Sequence, residues 1–324
     1  MKNVISFLLG FFFGLLFFNE IYSAISIGIF VLLLYRIFSE SNNQFVFREW
    51  ALLLYCLNYL TAPAITYIQP EELVTYGMKI SRDEYFILAL PGFICFTLGM
   101  YIIPSKIFKV NYNQINKSTV VNKDFLKKVA IYGLLLRLFS SFFPGELGFI
   151  FYLLSMVRFV AAFALLSISS RLWYYSAIVL LIEIAFAFVA GMFHDAIMWV
   201  IFFSLFYIYA IKPTLQLKLI GAAFLLMFIL LIQAVKSSYR EIAWQDESKR
   251  NLLTAGTIAS EKATSDVLLG DENLLSTLNR GNQAWIFAST VDNMDLTKDF
   301  QGLTNVNKYL EAAILPRFLA PNKL

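Results

Sequence analysis

The sequence has little of what a soluble enzyme uses for chemistry. It contains one histidine and two cysteines among 324 residues, and charged residues make up only 15% of it. Neither a Walker loop nor a dinucleotide-binding fingerprint is present. One histidine excludes a His-rich metal site, and Cys56 and Cys95 fall inside apolar runs without disulfide or metal-site spacing. We therefore expect neither a metal nor a cofactor.

What the sequence does contain is mostly apolar. Hydrophobic residues account for 59% of the chain, with 33 Phe and 17 Tyr, and the mean hydropathy is +0.67. A span must satisfy its backbone hydrogen bonds internally, and the apolar runs do not alternate as barrel strands do. The sequence therefore predicts an all-α, polytopic integral membrane protein embedded in a lipid bilayer. The net charge of +4 reflects where lysines lie relative to the bilayer, so we expect no nucleic-acid partner.

Apolar runs near the length that crosses a bilayer, about 20 residues, predict nine transmembrane helices. They lie near residues 4–18, 21–38, 49–68, 85–103, 128–143, 148–169, 172–192, 195–211 and 218–235. The first run also has the length of a signal-peptide core, but the second follows almost at once, which favours a tight helical hairpin. Residues 236–324 carry frequent charges. We therefore expect a transmembrane bundle, 1–235, and a helical extracytoplasmic segment, 236–324.

Lysine and arginine are distributed unequally between alternate loops. One alternate set contains Lys2, Arg36, Arg48, Lys106, Lys109, Lys117, Lys123, Lys127, Lys128, Arg171, Lys212 and Lys218. The other short loops contain only Lys79 and Arg82 and are rich in acids. Because cytoplasmic loops carry the excess of Lys and Arg, we expect a cytoplasmic N-terminus and residues 236–324 on the outer face of the membrane.

Three ionisable residues, Arg137, Arg158 and Glu183, lie inside predicted spans. Each would cost about 2.5–3.5 kcal/mol if it faced lipid, so we expect all three to face the protein interior. Glu183 is expected to pair with Arg158 or Arg137, which leaves one arginine without a carboxylate. A guanidinium offers a rigid fork of donors that suits diphosphate. The sequence leaves open a structural ion pair and a site for a phosphate-bearing lipid.

Further candidates lie at the predicted outer face. His194 and Asp195 lie at the outer end of a predicted span, where either could act as a general base, or both could form a polar turn. We expect Asp271 to cap a helix that continues through Trp285, which places Arg280 mid-helix beside an aromatic ring. Four arginines lie in this segment: Arg240, Arg250, Arg280 and Arg317.

The stretch from Leu278 to Lys323 contains NRGNQAWIFASTV, DFQG and AAILPRFLAPNK. It resembles the large outer loop of bacterial O-antigen and capsular polysaccharide polymerases. In that family an arginine-headed helix leads to a glycine, a short helix, a Pro-Arg pair and a Pro-any-Lys-Pro ending. The matching positions here are Arg280, Gly302, Pro316, Arg317, Pro321 and Lys323. The last proline has no counterpart, and the family continues into further spans, so the resemblance implies that the sequence ends inside this loop.

The resemblance implies transfer of a growing glycan from polyprenyl diphosphate to the terminal sugar of another lipid-linked repeat unit, at the outer face of the bacterial cytoplasmic membrane. Catalysis would then fall to Arg280 and Arg317, with His194 or Asp195 as the candidate base. The implied substrate-binding residues are Arg137, Arg158, Arg240 and Lys323. Because diphosphate is a good leaving group, arginines can neutralise it without metal or nucleotide. A chain-length regulator and a flippase are the implied protein partners.

Two other functions stay open. An O-antigen ligase, or another lipid-linked-sugar glycosyltransferase, uses the same donor and a similar architecture. A transporter or flippase of lipid-linked glycan would also need intramembrane arginines. Transporters more often contain internal repeats, and this sequence has none. The long segment on one side of the membrane favours a face-specific enzyme.

Overall fold

The computed structural model describes residues 2–69, 76–102, 122–140, 142–143, 145–168, 170–246, 249 and 251–293. Of these residues 87% are helical and none lies in a strand. The predicted all-α fold is confirmed. In chain order the helices are α1 Lys2–Phe18, α2 Ile21–Glu40, α3 Phe47–Cys56, α4 Ala62–Thr66, α5 Arg82–Ile102, α6 Lys123–Ser140, α7 Gly145–Ser155, α8 Val157–Ile168, α9 Trp173–Ala190, α10 Phe193–Ile211, α11 Leu215–Gln245, α12 Leu252–Lys262, α13 Ser265–Leu268, α14 Asp271–Gly281 and α15 Ala284–Asn293.

Helices occupy all nine predicted span positions within the described ranges. Six of them are long and apolar enough to cross a membrane: Ile21–Glu40, Arg82–Ile102, Leu147–Ile168, Trp173–Ala190, Phe193–Ile211 and Leu215–Lys236. The chain is therefore a multi-pass membrane protein. Among the other three, α1 is shorter, α6 carries several charges, and a π-helical turn at Leu57–Thr61 joins α3 to α4.

The first two helices form the expected tight hairpin. Glu20 caps α2, because its carboxylate accepts from the backbone N–H groups of Tyr22 at 2.8 Å and Ser23 at 2.6 Å. Gly14 allows α1 to lie directly on α2, since a Cβ added there would lie 2.7 Å from Cα of Ala24. Close backbone approach through glycine is a common way for membrane helices to pack.

Contacts between loops show which of the connections between helices lie at the same end of the bundle. At one end, Lys218 Nζ donates to the carbonyl of Phe38 at 2.6 Å, and Asn42 Nδ2 donates to the carbonyl of Pro213 at 3.1 Å. At the opposite end, Arg82 Nε lies 3.8 Å from Glu20 Oε1. We call this second end, which also includes Gly191, the distal end. Loops that alternate in sequence thus share an end, as the nine-span pattern predicts.

Helices that follow α11 return to the bundle. Helix α11 continues unbroken through residue 235, and α12 to α15 then follow. Asn273 Nδ2 donates to the carbonyl of Leu230 at 3.2 Å, which brings α14 back alongside the apolar part of α11. Ala284 and Ala288 of α15 are fully buried in the same apolar core as Leu60. Helices α14 and α15 therefore pack on the transmembrane helices.

The predicted single helix from Asp271 through Trp285 is wrong, because the structure breaks it at Asn282. The buried Asn282 side chain donates to Thr66 Oγ1 at 2.9 Å and accepts from the backbone N–H of Ala284 at 3.1 Å. It thereby starts α15. Arg280 consequently lies in the last turn of α14 rather than mid-helix. Gly270 occupies the N-cap position, so Asp271 is the first helical residue rather than the cap.

Candidate functional site

A pocket of about 360 Å³ lies at the distal end, between α10, α11, α14 and the start of α15. Its lining consists of Tyr76, Phe193, His194, Ile197, Ile232, Gln233, Lys236, Asn279, Arg280, Gln283 and Trp285. Lys236 is also the last residue of the candidate span in α11. The pocket therefore lies where that helix is expected to leave the bilayer. Its volume falls within the usual range for small-molecule sites.

Two cationic side chains, Arg280 and Lys236, face this pocket. Arg280 Nη1 donates to Gln233 Oε1 on α11. Burial lowers the pKa of Arg280, and the neighbouring charge of Arg240 lowers it further. Lys236 lies within electrostatic range of both arginines. Among the described residues, no carboxylate lines the pocket or lies within 4.0 Å of Arg280 or Lys236. The described part of the site is therefore positively charged and suited to an anion.

Arg240 joins α11 to the end of α9 beside the pocket. Its Nε and Nη2 donate to the carbonyl of Gly191 at 3.1 and 2.9 Å. Gly191 ends α9 with a φ of 68°, a conformation that glycine adopts readily. Tyr239 adds a hydrogen bond from its hydroxyl to the carbonyl of Val189 at 3.2 Å. Arg240, an expected substrate-binding residue, thus does not line the pocket but fixes α9 against α11 and adds charge beside it.

The structure separates the two candidate bases. His194 is exposed and lines the pocket. Asp195, the next residue on α10, does not line the pocket. Its carboxylate lies within electrostatic range of Tyr152, as that of Glu183 does. Consecutive helical residues do not face the same way. His194 is therefore the candidate base that the pocket contains.

A second charged cluster lies within the bundle. Glu183, 2% exposed, accepts through Oε2 from Arg158 Nη2 and lies 3.5 Å from Arg137 Nε. The predicted pairing of Glu183 with an arginine is confirmed. The expectation that one arginine lacks a carboxylate is wrong, because Arg137 and Arg158 share Glu183. We call these three residues the triad, and its net charge is +1.

Packing explains how the triad is held. Arg158 is fully buried and also donates to Ser155 Oγ. The guanidinium of Arg137 lies 4.1 Å from the ring centre of Phe186, a cation–π contact. Gly133 lets α6 approach α8, since a Cβ added there would lie 2.7 Å from Cβ of Arg158. In this packing Arg137 of α6 and Arg158 of α8 reach the same carboxylate.

The predicted site residues thus fall into two places. Arg280 and His194 lie at the pocket, whereas Arg137 and Arg158 belong to the triad. Glu183 precedes Gly191 on α9 by a little over two turns, about 12 Å of helix. Arg250, Gly302, Pro316, Arg317, Pro321 and Lys323 lie outside the described residues.

Sequence reasoning missed Gln233 and Lys236. Together with Arg240 they recur at helical spacing on α11, which places all three along one face of that helix. That spacing was the available signal. This spacing is hard to recognise in the sequence, because Lys236 immediately follows a long apolar run and looks like the end of a span.

Comparison with known proteins adds no relative. No family model matches the chain, and searches of curated proteins and of solved structures also find no match. The likeness to polysaccharide polymerases therefore rests on the residues and motifs of this chain.

Proposed function

We propose that this protein polymerises polyprenyl-diphosphate-linked oligosaccharide repeat units into O-antigen or capsular polysaccharide at the outer face of the bacterial cytoplasmic membrane. The observation that carries the proposal is the pocket at the distal end, which Arg280 and Lys236 line without a facing carboxylate among the described residues. A diphosphate would supply the missing negative charge.

The position of the pocket suits a lipid-linked donor. Its cations lie at the end of a candidate span, whereas Phe193, Ile197 and Ile232 form an apolar part of its wall. A polyprenyl diphosphate has its charged group at the bilayer surface and its chain in the hydrocarbon. The pocket therefore has cations for the diphosphate at the end of the span and an apolar wall for the adjoining part of the lipid chain.

The reaction needs charge neutralisation and positioning. The hydroxyl oxygen of the acceptor sugar attacks the anomeric carbon of the donor, and the bond from that carbon to the diphosphate oxygen breaks. Arg280 and Lys236 stabilise the departing diphosphate, whose negative charge grows in the transition state. His194 accepts the hydroxyl proton. Arg317 is the second proposed catalytic residue, on the strength of its Pro-Arg motif.

A second candidate function is transport of a lipid-linked glycan across the membrane. The triad favours it, because a buried net positive charge within the bundle would attract a diphosphate during passage. An O-antigen ligase would use the pocket as the polymerase does and differ only in the acceptor. The three functions leave different products: polymer on the lipid carrier, glycan on another acceptor, or unpolymerised repeat units moved between leaflets.

The test is the length of the glycan that cells make with variants of this chain. Arg280→Ala, Lys236→Ala and Arg317→Ala should accumulate in the membrane at normal abundance and give short glycans, and Arg280→Lys should recover part of the length. Lys249→Ala, which changes an exposed lysine of the same segment, is the matched control and should give normal glycan. Normal long glycan from both Arg280→Ala and Lys236→Ala would overturn the proposal.

A further inference from the structure

Two aromatic rings form one wall of the pocket. Tyr76 and Trp285 are stacked, with ring centres 4.7 Å apart and planes 11° from parallel. Both line the pocket, and Tyr76 remains 44% exposed. Stacked aromatic rings are usually found within cores, where they bury apolar area. This pair instead borders an open, charged site, so core packing does not account for it.

The fold holds Trp285 in place at this wall. It is the second residue of α15, and Asn282 fixes the start of that helix through Thr66. Ala284 and Ala288 of the same helix are buried in the apolar core. Trp285 is therefore carried by a rigid element, as a recognition residue requires.

Amide side chains connect the aromatic wall to the cations. Gln283 is exposed, lines the pocket and donates through Nε2 to the backbone carbonyl of Arg280 at 3.0 Å. Asn279 lines the pocket one residue before Arg280. The pocket thus has a cationic side, with Arg280 and Lys236, and an adjoining side made of aromatic rings and amides.

This second side has the chemistry of a sugar site. One face of a pyranose ring presents C–H groups, which pack on the negative face of an aromatic ring, and its hydroxyls both donate to and accept from amides. A phosphate group could accept from the amides but would not use the aromatic face. Resting on the proposed function, we infer that Tyr76 and Trp285 bind the sugar that is bonded directly to the diphosphate, while Arg280 and Lys236 hold the diphosphate itself.

The test compares two lipids on the purified full chain in detergent: polyprenyl diphosphate, and polyprenyl diphosphate carrying one hexose. The unaltered chain should bind the hexose-bearing lipid about five- to tenfold more tightly, the gain expected of one stacking contact with its hydrogen bonds. Trp285→Leu and Tyr76→Leu should lose this difference and keep the affinity for the bare lipid. Trp285→Phe should keep most of the difference, and Trp173→Leu, an exposed tryptophan at the other end of the bundle, should keep all of it.

The outcomes separate the two proposals. Failure of the unaltered chain to bind either lipid would overturn the diphosphate site and with it the proposed function. Equal binding of both lipids by the unaltered chain would overturn the sugar subsite alone, and this comparison needs no variant. A full hexose preference in both Trp285→Leu and Tyr76→Leu would overturn it as well.

Discussion

Arg280 of α14 donates a hydrogen bond to Gln233 of α11, and both side chains line the distal pocket. This contact joins the segment that returns after residue 245 to the longest helix of the described chain. It holds Arg280 at the pocket that Lys236 also lines, so that two positive charges border the same space. A neutral amide partner holds it there without cancelling the charge of Arg280.

Replacing that amide by an acid should therefore inactivate the site. We expect Gln233→Glu to reach normal membrane abundance but to bind polyprenyl diphosphate at least about tenfold more weakly, because the new carboxylate pairs with Arg280. Gln233→Leu, which removes the hydrogen bond but leaves the charge, should have a smaller effect. Binding to the purified variants measures both, and equal affinity for Gln233→Glu and the unaltered chain would contradict this role.

The triad predicts an asymmetry between its members. Glu183→Gln leaves the fully buried Arg158 and the partly buried Arg137 without a carboxylate, whereas Arg158→Met leaves Arg137 paired with Glu183. We expect Glu183→Gln to be the more destabilising, by about 3–5 kcal/mol, and to lower membrane abundance more than Arg158→Met does. The Glu183→Gln/Arg158→Met double variant should recover part of the loss. Abundance and thermal unfolding of the three variants measure this.

Glycan length in the same variants distinguishes the two functions of the triad. A structural ion pair gives a double variant whose polymer recovers together with its abundance. A lipid-binding arginine gives a double variant that accumulates but makes no polymer. Unchanged abundance and polymer length in all three variants would show that neither interpretation of Glu183 and Arg158 holds.

Close packing of α6 on α8 should depend on Gly133. Gly133→Val places methyl groups where the backbone and Cβ of Arg158 lie, and we expect a loss of about 1–3 kcal/mol. Gly99→Val is the matched control, since a Cβ at Gly99 meets no atom within 4 Å. Thermal unfolding of the two variants tests this. Equal stability would mean that α8 moves without cost.

The orientation of the chain in the membrane can be measured without an activity assay. The lysine and arginine bias predicts that a reporter fused after Lys117 reads cytoplasmic and that one fused after Asn282 reads external. Fusions at both sites, assayed with a paired cytoplasmic and external reporter, give the answer. The reverse result at either site would remove the outer-face mechanism.

The helices and the ion pair were predictable because the membrane constrains them strongly. Backbone groups in lipid must be satisfied within helices, so apolar runs alone located α2, α5 and α9 to α11. A lone carboxylate in an apolar run must find a cation, which predicted the partner of Glu183. That Arg137 and Arg158 share it depends on how α6, α8 and α9 are rotated against one another, which the sequence does not record.

The pocket was less predictable because it depends on distant contacts. The break before α15 arises from the hydrogen bond between Asn282 and Thr66, which lies 216 residues earlier in the chain. Local helical periodicity continues across that point and predicted one helix. The same break brings Trp285 to the pocket, so the aromatic wall could not be inferred before α14 and α15 were separated.

An assay of polymerisation by the chain itself tests the proposed function most directly. The unaltered chain, reconstituted in liposomes with a polyprenyl-diphosphate-linked oligosaccharide repeat unit, should form lipid-linked products of two or more units and release polyprenyl diphosphate. The Lys236→Ala/Arg280→Ala double variant, at matched abundance, should form none. Absence of elongated product with the unaltered chain, or equal product with the double variant, would contradict the account.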